Sequence, residues 1–436
     1  MKNKNGKEYI ILVLFATMYG ITVSVLCGIG FLTSIVSSIL LFFAFYKNLS
    51  NYKNKNLFIV FLFIFLAHLV LIMYNSVHRD LPFTNVDWRN FDVYAKTAIY
   101  KSTGFFDVYS NSVDLFSAIV AYLYMIFEVN ITIIYFFILP LAYLSSDILH
   151  KILLKMNLSK KHAEFFSLIL LLYPVNFIFS ISVLREIPIQ FLTLFSFYHF
   201  LNYLHDNNKK VNLVFAIVLI LLACMMHSGM IGVFISYLYV IFQNMIYASK
   251  RVKFFRPSVI VITLLILLLL STTSIWGNIS SRFRGLANTN DVVSTMNFQN
   301  DYLEANTQYV TEVPDSFMGI VLTIPYRYIM FTLSPFPWQI YNFQTLISLI
   351  LDGLLRYIIV YNIIMILKNI NKYDFDSKKI IIILIIMIVA TNLIFCLGVS
   401  NYGAAMRHRT KILPLELLLI ALGRENKQLW KKKKYQ

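Results

Sequence analysis

Long apolar runs, separated by short polar stretches, recur along the whole chain. They fall near 8–26, 29–46, 57–74, 130–149, 164–183, 187–204, 212–227, 230–247, 257–275, 341–367, 379–398 and 410–422. A helix needs about 20 apolar residues to cross a bilayer. Helices also satisfy their own backbone hydrogen bonds in lipid. The pattern therefore predicts an all-α polytopic membrane protein with about twelve transmembrane helices. Two more apolar segments, 114–127 and 318–334, are ambiguous. The first is short for a crossing. The second contains Pro325 and Arg327 and runs into Pro335 and Pro337, and prolines interrupt helices.

Charge separates the possible topologies. Only 14% of the 436 residues are charged and 58% are hydrophobic, whereas soluble proteins average about 25% charged. The net charge of +17 reads as topology, because Lys and Arg gather in cytoplasmic loops. With twelve crossings and both termini inside, most of the 38 basic residues fall on the inner side. They include Lys2, Lys4 and Lys7, the loops at Lys151–Lys161 and Lys250–Arg256, and the tail at Lys431–Lys434. Letting 114–127 and 318–334 cross would turn three basic loops outward. Both are therefore expected to dip into the membrane from the outer face. The expected organisation is one integral membrane domain, 1–436, with outer loop regions near 75–129 and 276–340 and a basic cytoplasmic tail, 423–436. Cys27, Cys224 and Cys396 sit in or beside apolar runs, as small packing residues do, and no metal-binding cysteine spacing occurs.

Within this frame the ionisable residues in apolar surroundings stand out, because such groups are costly in a bilayer and mark sites or pathways. Arg185 and Glu186 fall in a turn after 164–183, and His227 falls in the turn His227-Ser228-Gly229. Arg407, His408 and Arg409 follow the run 379–398. Asp87, Arg89 and Asp92 occupy the first outer region, and Arg282, Arg284 and Arg327 the second. Arginine suits a phosphate through its bidentate fork. A carboxylate can accept a proton from a sugar hydroxyl, and histidine titrates near neutrality. Trp88, Tyr94, Trp338 and Tyr402 are placed to stack on sugar rings.

Plainer readings stand beside these. Arg185 and Glu186 could pair to close a turn, and His227 could be a satisfied core histidine. Arg407 and Arg409 could snorkel to headgroups. Asp87 and Asp92 could cap helices, and Trp88 and Trp338 could belong to an interfacial aromatic belt. Asp352 and Arg356, four apart on one expected helix, read as a local ion pair. No nucleotide-phosphate loop, zinc motif or Ser-His-Asp arrangement appears.

Three stretches carry a family likeness: Ser180-Ile-Ser-Val-Leu-Arg185-Glu186, His227-Ser228-Gly229, and Asn401-Tyr-Gly-Ala-Ala-Met-Arg407-His-Arg409-Thr-Lys-Ile-Leu-Pro414. With them the chain resembles Wzy-like oligosaccharide repeat-unit polymerases, including the EpsG-like group. The acidic stretch at Asp87 and Asp92 resembles the first outer loop of GT-C-type glycosyltransferases. The resemblance implies joining of undecaprenyl-diphosphate-linked repeat units into capsule, O-antigen or exopolysaccharide on the outer face of a bacterial cytoplasmic membrane. It implies no required metal or cofactor and no nucleic acid. The implied partners are the lipid-linked oligosaccharide, the bilayer, a chain-length regulator and a flippase.

In that reading Asp87, Asp92, His227 and His408 are the catalytic candidates. Arg185, Arg407, Arg409 and Arg327 hold diphosphates, and Glu186, Arg282, Arg284 and Tyr402 support them. A GT-C transferase adding a single polyprenyl-phosphate sugar and a repeat-unit flippase are the competing expectations. A flippase should carry charge along several spans.

Overall fold

The computed structural model describes mainly residues 28–49, 51–52, 55–78, 87–205, 210–247, 308–309 and 317–434. The expected spans 8–26 and 257–275 lie outside the described residues, except for a few isolated positions. So do most of the second outer region and the Arg282 and Arg284 candidates.

The described residues are mostly helical, with no strand among them. Six of their helical stretches are long and apolar enough to cross a membrane: Phe31–Asn48, Asn56–His78, Ile131–Lys155, Ser228–Met245, Thr345–Lys368 and Phe375–Gly398. The sequence expectation of an all-helical membrane protein thus stands at that coarser level. Contacts divide the chain into two compact units, 1–195 and 196–436.

The first unit contains α1 (Phe31–Leu49), α2 (Lys55–His78), α3 (Asp87–Lys101), α4 (Leu115–Ile126), α5 (Ile131–Lys155), α6 (Lys160–Leu172) and α7 (Pro174–Phe179). It also holds the first half of α8 (Glu186–His205). Helix α5 is its centre and packs against α1 and α6. Asn130 starts α5 by accepting a hydrogen bond from the Thr132 N–H, which satisfies one of the open donors of the first turn. The expected single crossing at 164–183 is not formed. Pro174 has no N–H to continue the ladder of α6. Helix α6 ends at Leu172, the six-residue α7 follows, and the chain then runs irregularly to Arg185.

The second unit holds α9 (Lys210–Met226), α10 (Ile231–Tyr247), α11 (Phe317–Leu333), α12 (Phe343–Ser348), α13 (Leu354–Lys368), α14 (Phe375–Gly398), α15 (Tyr402–Thr410) and α16 (Leu413–Lys434). A π-turn over Leu349–Gly353 joins α12 to α13. Helix α14 packs on α10, α11 and α16, and α13 packs on α16. Gly232 makes the α10–α14 contact possible, because a Cβ there would stand 2.5 Å from the Thr391 Cα. Small residues let membrane helices approach this closely. Pro325 does not end α11, contrary to the expectation from sequence; the helix runs through it to Leu333. Cys224 and Cys396 are buried and unbridged.

Two buried ion pairs lock the C-terminal half. The Arg356 guanidinium forks onto Glu416, at 2.6 Å and 2.7 Å. Arg409 donates to Asp352 and also to the carbonyls of Phe331, Thr332 and Ser334, at 3.0, 3.2 and 2.7 Å. The local Asp352–Arg356 pair expected from spacing is superseded by these partners, 57 and 60 residues away. The reason is packing. Asp352 lies in the π-turn and Arg356 one turn later. Both are 1% exposed where α13 meets the chain's last helices, so both need strong buried partners.

Candidate functional site

In the first unit the irregular segment after α7 presents Arg185. Its backbone is anchored by polar side chains from helices on several sides. His68 of α2 bridges Tyr143 of α5 and Ser180, at 3.0 Å and 2.9 Å, and stacks on Phe177 with ring centroids 3.9 Å apart. Asn75 donates to the Ile181 carbonyl at 3.0 Å. Asn176 donates to the Leu170 carbonyl and accepts from Gln190 of α8, each at 2.8 Å. A non-helical stretch buried in an apolar unit must place its backbone and side-chain polar groups in this way.

Arg185 itself reaches Asp114 at 2.6 Å, and its guanidinium lies 5.3 Å from the Phe91 ring centroid. Asp114 is also the N-cap of α4, accepting from the Ser117 N–H and hydroxyl at 2.7 Å. One carboxylate thus fixes both a helix start and the arginine. Glu186, the sequence neighbour expected to pair with Arg185, opens α8 and is 1% exposed. Asp92 accepts from Tyr124 of α4 at 2.7 Å and pairs with Lys96 at 2.8 Å. It therefore ties α3 to α4. Asp87 opens α3; its side chain, like that of Trp88, lies outside the described residues. Arg89 is exposed.

In the second unit His227, His408 and Lys411 gather around Phe395. His408 stacks on Phe395 at 4.9 Å with planes 13° apart. The His227 ring meets Phe395 at 5.3 Å and His408 at 4.7 Å, both edge-on. The Lys411 amine is 2.7 Å from His408 Nδ1 and 5.6 Å from the Phe395 centroid. His227 ends α9 and accepts from the Gly229 N–H at 3.2 Å. Asn401 caps α15 by accepting from the Ala404 N–H at 2.8 Å, which sets the helix carrying Arg407 and His408. Burial pushes the Arg407 guanidinium down to about 10, so it stays charged at neutral pH.

Three further candidates lie in the same unit. Arg327 is 2% exposed and directs Nη1 to the Leu397 carbonyl at 3.5 Å. Tyr402 is buried at the start of α15. Arg409 commits Nη1 and Nη2 to the internal contacts already given, so its geometry is that of a scaffold cation. Tyr309 fastens its segment to the turn after α14, with its N–H to the Ser400 carbonyl at 2.9 Å and its hydroxyl to the Val399 carbonyl at 3.2 Å.

Asp114, Lys411 and Phe395 were missed in the sequence. Only Lys411 left a local signal, as the last basic residue of Arg407-His-Arg409-Thr-Lys411. Among the described residues, no three His, Cys, Asp or Glu side chains group as a metal site.

Gly229 makes the cluster possible. A Cβ there would stand 2.1 Å from Phe395 Cε1. Gly229→Ala must displace the ring on which both histidines rest. We expect a loss of about 1–3 kcal/mol from overpacking, read as a lower melting temperature of the detergent-purified protein.

The cluster can offer hydrogen bonds and positive charge to an anionic or polyhydroxyl ligand. The chain matches no protein-family model, and no curated protein or solved structure matches it.

Proposed function

We propose that this protein is a membrane glycosyltransferase that polymerises undecaprenyl-diphosphate-linked oligosaccharide repeat units on the outer face of a bacterial cytoplasmic membrane. The observation that carries the reading is the gathering of His227, His408 and Lys411 around Phe395, with Arg407 on the same short helix. Such a set stabilises negative charge that grows on a departing diphosphate. The Arg185–Asp114–Phe91 group in the other unit supports the reading by itself. The reaction joins two lipid-linked substrates, and each brings a diphosphate.

The step is a displacement. A sugar hydroxyl of one repeat unit attacks the anomeric carbon of the growing chain. The bond from that carbon to the diphosphate oxygen breaks, and its electron pair leaves with undecaprenyl diphosphate. A base takes the hydroxyl proton. Arg185 in the first unit and Arg407 in the second are the proposed diphosphate contacts, and Arg409 and Arg327 hold the fold of the second unit. Asp92, bound to Tyr124 and Lys96, is the proposed sugar anchor. The twelve-crossing topology, with both termini cytoplasmic, belongs to this proposal. The charges buried in the spans argue against a flippase pathway, since Asp352 and Arg356 are neutralised by Arg409 and Glu416.

The test is reconstitution of the purified protein in vesicles with undecaprenyl-diphosphate oligosaccharide. A ladder of repeat multiples on a gel is the expected result. Addition of a single sugar would favour a GT-C transferase instead. Movement of substrate across the bilayer without bond formation would favour a flippase.

A further inference from the structure

Three arginines of the second unit, Arg327, Arg356 and Arg409, are all but fully buried. Two of them have a counter-charge, Glu416 for Arg356 and Asp352 for Arg409. Arg327 has none among the described residues. Its Nη1 reaches the Leu397 carbonyl at 3.5 Å, which is long for a hydrogen bond. Its Nε and Nη2 are buried and meet no acceptor in the protein. The ionisable groups that act on it are the Tyr309 phenol and the Cys396 thiol, and both types are neutral at pH 7 in their ordinary state. The Tyr309 hydroxyl donates to the Val399 carbonyl, and the Cys396 thiol to the Leu393 carbonyl at 3.2 Å. Neither supplies a negative charge.

A buried cation without a partner is costly, and proteins pair such charges. The two open nitrogens also have a geometry. Nε and Nη2 share one edge of the planar guanidinium, and their N–H bonds run parallel. That edge matches two oxygens of one oxyanion. Its place in the unit is suggestive too. Phe331 follows Arg327 by one turn of α11, and its ring lies 6.0 Å from that of Phe395. Phe395 is the ring against which His227 and His408 pack.

We propose that Arg327 is a phosphate-binding residue, whose Nε–Nη2 edge takes two oxygens of a phosphate or diphosphate group while Nη1 keeps its contact with Leu397. The anion neutralises the guanidinium as Glu416 and Asp352 neutralise the other two. The same chemistry comes from a lipid-linked diphosphate, a phospholipid headgroup or the free anion. The site stands without the transferase reading; naming the lipid-linked diphosphate as its source rests on that reading, and would add Arg327 to Arg407 as a contact in the second unit.

The full-length protein is purified in a non-ionic detergent and a phosphate-free buffer. Its melting is followed with inorganic diphosphate, geranylgeranyl diphosphate, phosphatidylglycerol or succinate. Wild type should melt higher with at least one of the three phosphate compounds, and Arg327→Met should show no such gain. Arg327→Lys keeps the charge and loses the fork, so it should need about tenfold more of the same compound. A gain from inorganic diphosphate alone names the free anion as the source. A larger gain from the isoprenoid compound names the lipid-linked diphosphate, and one from phosphatidylglycerol names the headgroup. No Arg327-dependent gain from any of them overturns the site, and an equal gain from succinate overturns its phosphate class.

Stability without added anion is a second check. Arg327→Met removes an uncompensated charge, so it should melt close to wild type. Loss of folding in that variant would mean that the guanidinium already has a structural counter-charge, and would overturn the site. Polymer made by a wild type whose melting ignores every compound removes this site alone. An Arg327-dependent gain in a protein that makes no polymer keeps the site and counts against the transferase reading.

Discussion

Arg409→Met is expected to cost the protein about 3–5 kcal/mol, the loss that follows when one partner of a buried ion pair is removed. That is a large share of a total stability of about 5–15 kcal/mol. Arg409 and Asp352 are each 1% exposed. The substitution strands the Asp352 carboxylate and takes the donor from three carbonyls at the end of α11. Asp352→Leu in the same background should recover much of the loss, because apolar side chains in place of both charges leave no uncompensated ion. Thermal unfolding in detergent measures both. A single variant that melts like the parent would mean that this pair does not hold α11, the π-turn and α15 together. Stability recovered in the double variant with polymer still absent would return Arg409 to the substrate contacts.

Arg185→Gln is expected to behave in the opposite way. Its polymer output should fall about 100-fold or more, the range for losing one preorganised charge-stabilising donor. Its stability should fall by only about 1–2 kcal/mol, between the values for exposed and buried pairs. The Arg185 and Asp114 side chains are 15% and 16% exposed, and Asp114 keeps its second task as the cap of α4. A ladder gel and a melting curve on the same preparation separate the two effects. Polymer of normal length at normal protein level would remove Arg185 from the proposed chemistry.

These two arginines look alike in the sequence, each a cation beside an apolar run, yet the fold uses them differently. The difference lies in what surrounds each guanidinium. Arg409 meets one carboxylate and three carbonyls, so its Nη1 and Nη2 donors are engaged within the protein. Arg185 shares the Asp114 carboxylate with the cap of α4 and lies against the Phe91 ring at a partly open turn. Spacing along the chain carries no information of that kind. It suggested Arg185 with Glu186 and Asp352 with Arg356. In the fold Arg185 pairs with Asp114, Asp352 with Arg409 and Arg356 with Glu416, each supplied by a distant segment.

The broken run at 164–183 has a similar lesson. Its hydropathy reads as a crossing, but Pro174 ends one helix and begins another. The eight residues from Leu172 to Phe179 became a hinge into the Arg185 segment, held by His68, Asn75 and Gln190. None of these three was marked by the sequence as belonging near Arg185, because their contacts span helices 14 to 112 residues apart.

What the chain determines alone is its solvent and its secondary structure. Apolar runs of membrane length leave the backbone few options except helices, since lipid supplies no hydrogen bonds. The turn His227-Ser228-Gly229 and the basic cluster Arg407-His408-Arg409 beside apolar runs also mark His227 and His408 as unusual. Which charges are spent inside the protein, and which stand ready beside a partner, was decided by tertiary packing. Burial and close approach are properties of several helices at once, and the energy of a charge depends on its surroundings far more than on its neighbours in sequence.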